Sequence, residues 1–160
     1  MTSATAEHWA NVRSAVYLLA QSVGPCCRCK RPTALFSLGL SPGHERQLDD
    51  DWVPVNAFAL LFFVEYLPPE VIRVLQELAP DYRPARSCAT GSKYWLNHCQ
   101  HCGMVHEDYW LHCEPGAEFL PTAERAAGQI QIHVVRESFA ARAGGFSDEI
   151  PLLASMRIIG

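Results

Sequence analysis

Two Cys-x-x-Cys pairs, Cys26/Cys29 and Cys99/Cys102, are the residues of this 160-residue chain whose type and spacing carry chemistry. Two residues between the thiols let a tight turn aim both sulfurs at one ion. Backbone N–H groups of the turn can then hydrogen-bond the thiolates. Gly103 follows Cys102 directly and supplies the positive φ that such a turn often needs, whereas Lys30 holds that place after Cys29. Four thiolates in tetrahedral array select zinc and less often iron, and an iron–sulfur cluster uses the same donors. The predicted ligands are Cys26, Cys29, Cys99 and Cys102, and the predicted cofactor is Zn²⁺. Cys27, His98, His101 and Cys113 are the alternative donors. On a strand His98 and Cys99 point to opposite faces, which makes His98 a neighbour rather than a co-ligand. Four thiolates close the coordination shell, so the expected role of the ion is structural.

The paired cysteines, with Gly103 and a hairpin around the second pair, make the chain resemble zinc-ribbon and zinc-knuckle proteins. The resemblance implies a metal-stabilised scaffold and a binding role. The chain departs from that pattern in the segment between the pairs. It runs from Lys30 to His98, far longer than the roughly 15–20 residues of compact ribbons. It carries strands and a helix of its own, so distant knuckles must meet within one domain.

Seven cysteines are an odd number and cannot all pair internally. Met1 to Gln21 carries Glu7, His8, Asn11 and Arg13 through its middle, unlike the unbroken apolar core of a secretory signal. The expected compartment is the cytoplasm, where thiols stay reduced and metal is the better explanation of so many. Composition is ordinary for a globular chain, at 49% hydrophobic and 19% charged. The net charge of −4 argues against a generic polyanion binder.

A second candidate constellation is His106, Asp108 and His112. Read as one strand, Met104 to Cys113 places these three with Trp110 on one face, where they could supply a small enzyme with acid and base or hold a second metal. Nucleophile-elbow, zinc-protease and P-loop motifs are absent from the sequence, and enzymatic activity is not the favoured reading.

Basic and aromatic residues flank the cysteine pairs. Arg28, Lys30 and Arg31 surround the first, while Arg83, Arg86, Lys93, Tyr94 and Trp95 precede the second. Cations interleaved with aromatics suit an acidic peptide or single-stranded nucleic acid. These eight are the candidate partner-binding residues. A protein partner is the first expectation and nucleic acid the alternative, with no membrane partner.

The elements that must position these groups follow from patterning. Trp9, Val12, Val16, Leu19 and Val23 are spaced 3, 4, 3 and 4, which predicts an N-terminal helix within residues 1–23, capped by Thr5 and stopped by Gly24-Pro25. Thr33–Leu40, Tyr94–Asn97, Gln129–Arg136 and Met156–Ile159 read as strands, and Glu45–Asp51 as a solvated acidic loop. Pro68-Pro69-Glu70 opens a helix that turns Val71, Ile72, Leu75 and Leu78 inward. Pro121–Ala127 reads as a short helix. The predicted fold is a single α+β domain over 1–160: an N-terminal helix (1–23), a mostly antiparallel zinc-ribbon core with its insert (24–120) and a C-terminal extension (121–160).

Overall fold

The computed structural model of the chain describes residues 9–148 and 153–159. Its strands in chain order are β1 (Val12–Ser14), β2 (Tyr17–Pro25), β3 (Pro32–Leu40), β4 (His44–Leu48), β5 (Asp51–Val55) and β6 (Ala59–Tyr66). Helix α1 (Pro69–Leu78) follows, then β7 (Tyr82–Arg86), β8 (Lys93–His98), β9 (Val105–His106), α2 (Asp108–His112) and α3 (Glu124–Ala127). Strands β10 (Gln131–Val135), β11 (Phe139–Ser147) and β12 (Arg157–Ile159) complete the described chain. The sheet runs β12-β10-β2-β3-β6-β11-β1-β4-β5, and β8, flanked by β7 and β9, branches from β6. Only the β10–β12 pair is parallel among these strands.

The molecule is mostly sheet, and the expected N-terminal helix is absent from the described residues. Residues 12–14 and 17–25 are strands instead, while Thr5 lies outside the described residues. The physical reason is burial on both faces. Tyr17 and Leu19 enter one core cluster, and Leu18 and Ala20 enter the other. A strand covered on both sides reads as a continuous apolar run, and its period of two disappears. Val23, assigned to the helical stripe, is 51% exposed. The α+β assignment falls with that helix.

Two other expectations change. The acidic stretch is a hairpin, with His44–Leu48 paired to Asp51–Val55. Met104 to Cys113 is not one strand: two residues pair with β8, and the chain then enters α2. Strand β11 carries little pattern because Gly144 and Gly145 interrupt its alternation. Helix α1 forms where expected and buries Val71 and Leu75, although Leu78 faces solvent. Strands β10 and β12 and helix α3 lie within their predicted segments, and β3 and β8 cover theirs with one further residue at an end or at both.

The core has two layers around the central strands. Leu61, Val64, Phe36 and Leu38 pack with α1, whereas Leu60, Leu35 and Ile132 pack with Leu111 and Phe119. Strict alternation would not put Leu61 and Val64 in one layer. Phe63, with φ 54°, shifts the phase between them.

Strand β6 also forks the sheet. It pairs with β3 only at Gly39↔Leu60 and Leu40↔Ala59, and with β8 at Val64↔Trp95. Continuing the first register outward would set Phe36 opposite Phe63. That pair is never made. The Phe63 N–H donates to Asp108 Oδ2 at 2.9 Å, and the Phe36 N–H and C=O are taken by Asn97. Side chains thus satisfy backbone groups that the fork leaves open.

Gly145, paired with Phe62 across the β11–β6 ladder, leaves room for the ring of its partner. A Cβ there would lie 2.1 Å from Phe62 Cε2, and the Phe62 ring in turn stacks on His112 at 5.4 Å. Gly145→Ala is therefore expected to destabilise the protein by about 1–3 kcal/mol through overpacking. Urea unfolding checks this, and in a Phe62→Leu background the penalty should shrink.

Candidate metal centre

Each cysteine pair sits at the tip of an antiparallel hairpin. Strands β2 and β3 pair up to Pro25↔Pro32, and residues 26–31 close them. Strands β8 and β9 pair at His98↔Val105, and residues 99–104 close them. The first hairpin was invisible while β2 read as helix.

The two loops have the same internal bonds. Cys26 N–H donates to Arg31 O at 2.9 Å, and Lys30 N–H to Cys26 O at 2.9 Å. Cys99 N–H donates to Met104 O at 2.8 Å, and Gly103 N–H to Cys99 O at 2.9 Å. In each loop the N–H two residues on donates to the first sulfur, Arg28 to Cys26 and His101 to Cys99, both at 3.4 Å. Gly103 takes φ 77° and Lys30 takes φ 67°. Lys30 therefore adopts the left-handed conformation without glycine's freedom, at a penalty of about 1–2 kcal/mol.

The loops meet so that four sulfurs converge. Cys26 Sγ lies 3.6 Å from Cys102 Sγ, and Cys29 Sγ lies 3.7 Å from Cys99 Sγ. All four atoms fall within 4.8 Å of one another. Thiolates bound tetrahedrally to zinc at ~2.3 Å stand about 3.8 Å apart, so the donor set and its spacing fit such an ion. Cys26 and Cys99 are buried, Cys29 is half-buried and Cys102 is exposed.

Electrostatics in the cluster favour a cation. The Cys29 N–H, against the effect of burial, holds the Cys26 thiol below its ordinary range, with help from the Arg28 N–H. Burial pushes Cys99 up, but the N–H groups of Cys102 and His101 and the neighbouring sulfurs bring it down to about 6. The Met104 N–H pulls Cys102 down, yet desolvation and three crowded sulfurs raise it to about 11. Four thiols this close cannot all ionise unaided, and a divalent cation relieves that repulsion.

The alternative donors lie elsewhere. His98 Nδ1 donates to Leu96 O at 3.0 Å and to Asp81 O at 3.1 Å. His101 Nε2 donates to Pro32 O at 3.0 Å. Cys27 is exposed, and Cys113 follows α2 outside the cluster. Among the described residues, this cysteine quartet is the one cluster with metal-ligand geometry.

Knuckle two is carried to knuckle one by polar side chains that pattern reading passed over. Phe36 N–H donates to Asn97 Oδ1 at 2.8 Å, and Asn97 Nδ2 donates to Phe36 O at 2.9 Å. Gln100 N–H donates to Thr33 Oγ1 at 3.0 Å, and Ala34 N–H donates to Gln100 Oε1 at 3.2 Å. Asn97 and Thr33 are fully buried. The available signal was an asparagine that directly follows the apolar run Tyr94–Leu96 in the strand entering the second pair.

The His106/Asp108/His112 face does not form. Asp108 and His112 lie one turn apart on the buried side of α2, and Trp110 projects from it 63% exposed. Burial raises Asp108 to about 7 against the opposing Phe63 N–H, and the carboxyl is committed to the fork. His112 stacks between Phe62 and Phe119, and burial lowers it to about 3.

The eight partner-binding candidates divide. Arg28, Lys30 and Arg31 are exposed on knuckle one. Arg86 pairs with Lys93 at the closed end of the β7–β8 hairpin, while Arg83 pairs with Leu96 nearer knuckle two. Tyr94 lies against Phe63, and Trp95 is buried against Tyr82.

Comparison with protein families, with curated proteins and with solved structures finds no match to this chain. Among the described residues no helix is long and apolar enough to cross a membrane.

Two measurements test the centre's supports. Asn97→Leu leaves both Phe36 groups unpaired, with an expected loss of about 2–4 kcal/mol in urea unfolding and faster metal release to a chelator. His112 gives a pH signature. Its folded-state pKa lies below the unfolded value of 6.5, so its contribution is present above that pH and is lost as pH falls toward 3. His112→Leu should therefore gain about 2 kcal/mol relative to the parent between pH 7 and pH 5. Asp108 works in the opposite direction, since a raised carboxyl loses its contribution as pH rises from 3.8 through about 7. Comparison at each pH with the same Asp108 present cancels that effect.

Proposed function

We propose that this protein is a non-catalytic binding module stabilised by one structural Zn²⁺ held by Cys26, Cys29, Cys99 and Cys102, and that its partner is a protein. The observation that carries the metal reading is the convergence of four sulfurs from two hairpin tips within 4.8 Å. A closed shell of four thiolates leaves no position for substrate or water and makes the ion a poor Lewis acid. It serves instead to join segments remote in sequence, which is worth most in a fold whose sheet is split beside the site.

The binding reading is supported by what the polar groups already do. Asp108 and His101 are engaged with backbone, and His112 is enclosed between rings, so the predicted His106/Asp108/His112 set does not assemble as an acid–base face. With four thiolates and Zn²⁺ the formal charge moves from −4 to about −6, which disfavours a polyanionic partner across most of the surface.

Metal analysis of the purified chain is expected to give about one zinc per molecule. Cys99→Ser should lose the metal and most of the folding stability, read by chelator challenge and thermal unfolding. A stable, folded and zinc-free protein would overturn the reading.

A further inference from the structure

Beside the metal centre lies a cleft of about 370 Å³ between knuckle one and α2. Cys27 forms its wall on the knuckle side, and Met104, Val105, Trp110 and Leu111 form the apolar remainder. Trp110 is 63% exposed and meets Tyr109, itself exposed, edge-on at 5.2 Å. Two large rings left in water beside an apolar cleft are the composition of an interface centre rather than of ordinary surface.

Two further observations concern polarity. His106 lines the cleft and is only 8% exposed, yet its Nε2 has no hydrogen-bond partner. A buried ring nitrogen without a partner is destabilising until something supplies one. The loop that provides Cys27 also carries Arg28, Lys30 and Arg31, all exposed. None of the three forms an ion pair with the described residues. Lys30 donates to Cys27 O at 3.0 Å, and the ion pairs use Arg13, Arg46 and Arg142. Glu107 is the acid on the cleft, and its Oε1 is already held by Ser87 Oγ and Ala89 N–H. Basic residues therefore stand on the loop that supplies one wall, and the mostly apolar lining includes an unsatisfied imidazole.

We propose that this cleft docks a short acidic peptide segment, seating one apolar side chain against Trp110 and Met104 while its carboxylates meet Arg28 and Arg31. This deepens the reading of the chain as a zinc-stabilised protein-binding module and rests on it. Charge complementarity selects the acidic partner. The remaining basic candidates are dispersed along the β7–β8 hairpin, so a long nucleic-acid track has no continuous support.

The test uses the zinc-loaded full chain and an array of acidic peptides of about ten residues. Each centre carries one of the apolar residues, with matched arrays in which lysine replaces every acid or alanine replaces the centre. A labelled deoxythymidine oligomer of similar length is the nucleic-acid control. The expected result is retention by acidic peptides with an apolar centre, and weakening of at least about tenfold by Trp110→Ala and by the Arg28→Glu/Arg31→Glu pair. Zinc content should stay at about one per molecule in both variants, since the altered side chains are exposed and the backbone groups of residues 28 and 31 that hold Cys26 are kept. Equal retention of basic peptides, indifference to both variants, or tighter binding of the oligomer overturns the proposal. A chain that holds zinc and stays folded but retains no peptide loses the cleft alone. A chain that folds without zinc loses the module reading beneath it.

Discussion

Asn97 spends its whole side-chain amide on the backbone of one residue, Phe36, as donor and acceptor together. An amide placed this way imitates the strand that is missing from that side of β3. Strand β6 pairs with β3 for two residues, then turns through the left-handed Phe63 toward β8. A wedge opens between β3 and β8, and its backbone groups are buried. Unpaired, each would weigh about 1–3 kcal/mol against the fold. Asn97 closes one side of the wedge, Asp108 takes the Phe63 N–H on the other, and Ser37 Oγ donates to Leu61 O at 3.3 Å between them. The fork is thus built from polar side chains whose partners are all main-chain groups.

The metal centre depends on that fork. Knuckle one continues β3, and knuckle two continues β8. The same contacts that dock β8 on β3 fix how the two hairpin tips face each other. Gln100 and His101, inside knuckle two, extend the line of contacts through Ala34 and Thr33 to Pro32. The residues between successive cysteines are therefore not spacers. They dock one loop on the other, and the sulfurs are left to face inward. An ion bound there closes the long loop from Lys30 to His98, where a cross-link removes the most freedom from the unfolded chain.

What could be read in the sequence divides along the same physical line. The ligands were legible because Cys-x-x-Cys is a local pattern, and α1 because Pro69, Glu70 and the spacing of Val71 and Leu75 are local too. Strand β2 was misread because neighbours on both faces erase the alternation that marks a strand. Helix α2 was misread because five residues are too few to show a helical period, and a spacing of four, from Asp108 to His112, shares a face in a strand as well as in a helix. Asn97 could be seen as an unexpected polar residue in a strand, but its partner lies sixty-one positions away in sequence. No local rule connects them. The cleft beside Trp110 is likewise a product of the way hairpin tips and α2 meet, and no segment contains it alone.

A third loop separates the contribution of the turn from that of the metal. Between β7 and β8, Ser87 N–H donates to Ser92 O at 2.8 Å, and Gly91 N–H donates to Ser87 O at 2.9 Å, with Gly91 at φ 78°. Ser87 Oγ accepts the N–H groups of Ala89 and Thr90, each at 3.2 Å. This repeats the pattern of both cysteine knuckles, with Ser87 and Thr90 standing where the cysteines stand, and the Glu107 carboxylate accepts from Ser87 and Ala89. The knuckle conformation is therefore accessible to this backbone as a hairpin loop with no cysteine at either ligand position, Cys88 lying between them. At the metal centre the hairpins supply the shape, and the cysteines have only to supply the charge. The strand pairing of each hairpin preorganises its own turn, whereas joining the two turns to each other falls to the ion. That preorganisation also explains how Lys30 is tolerated in a left-handed position. Strands β2 and β3 pair without interruption from Leu18↔Gly39 to Pro25↔Pro32 and impose the turn that closes them, whatever residue occupies its corner.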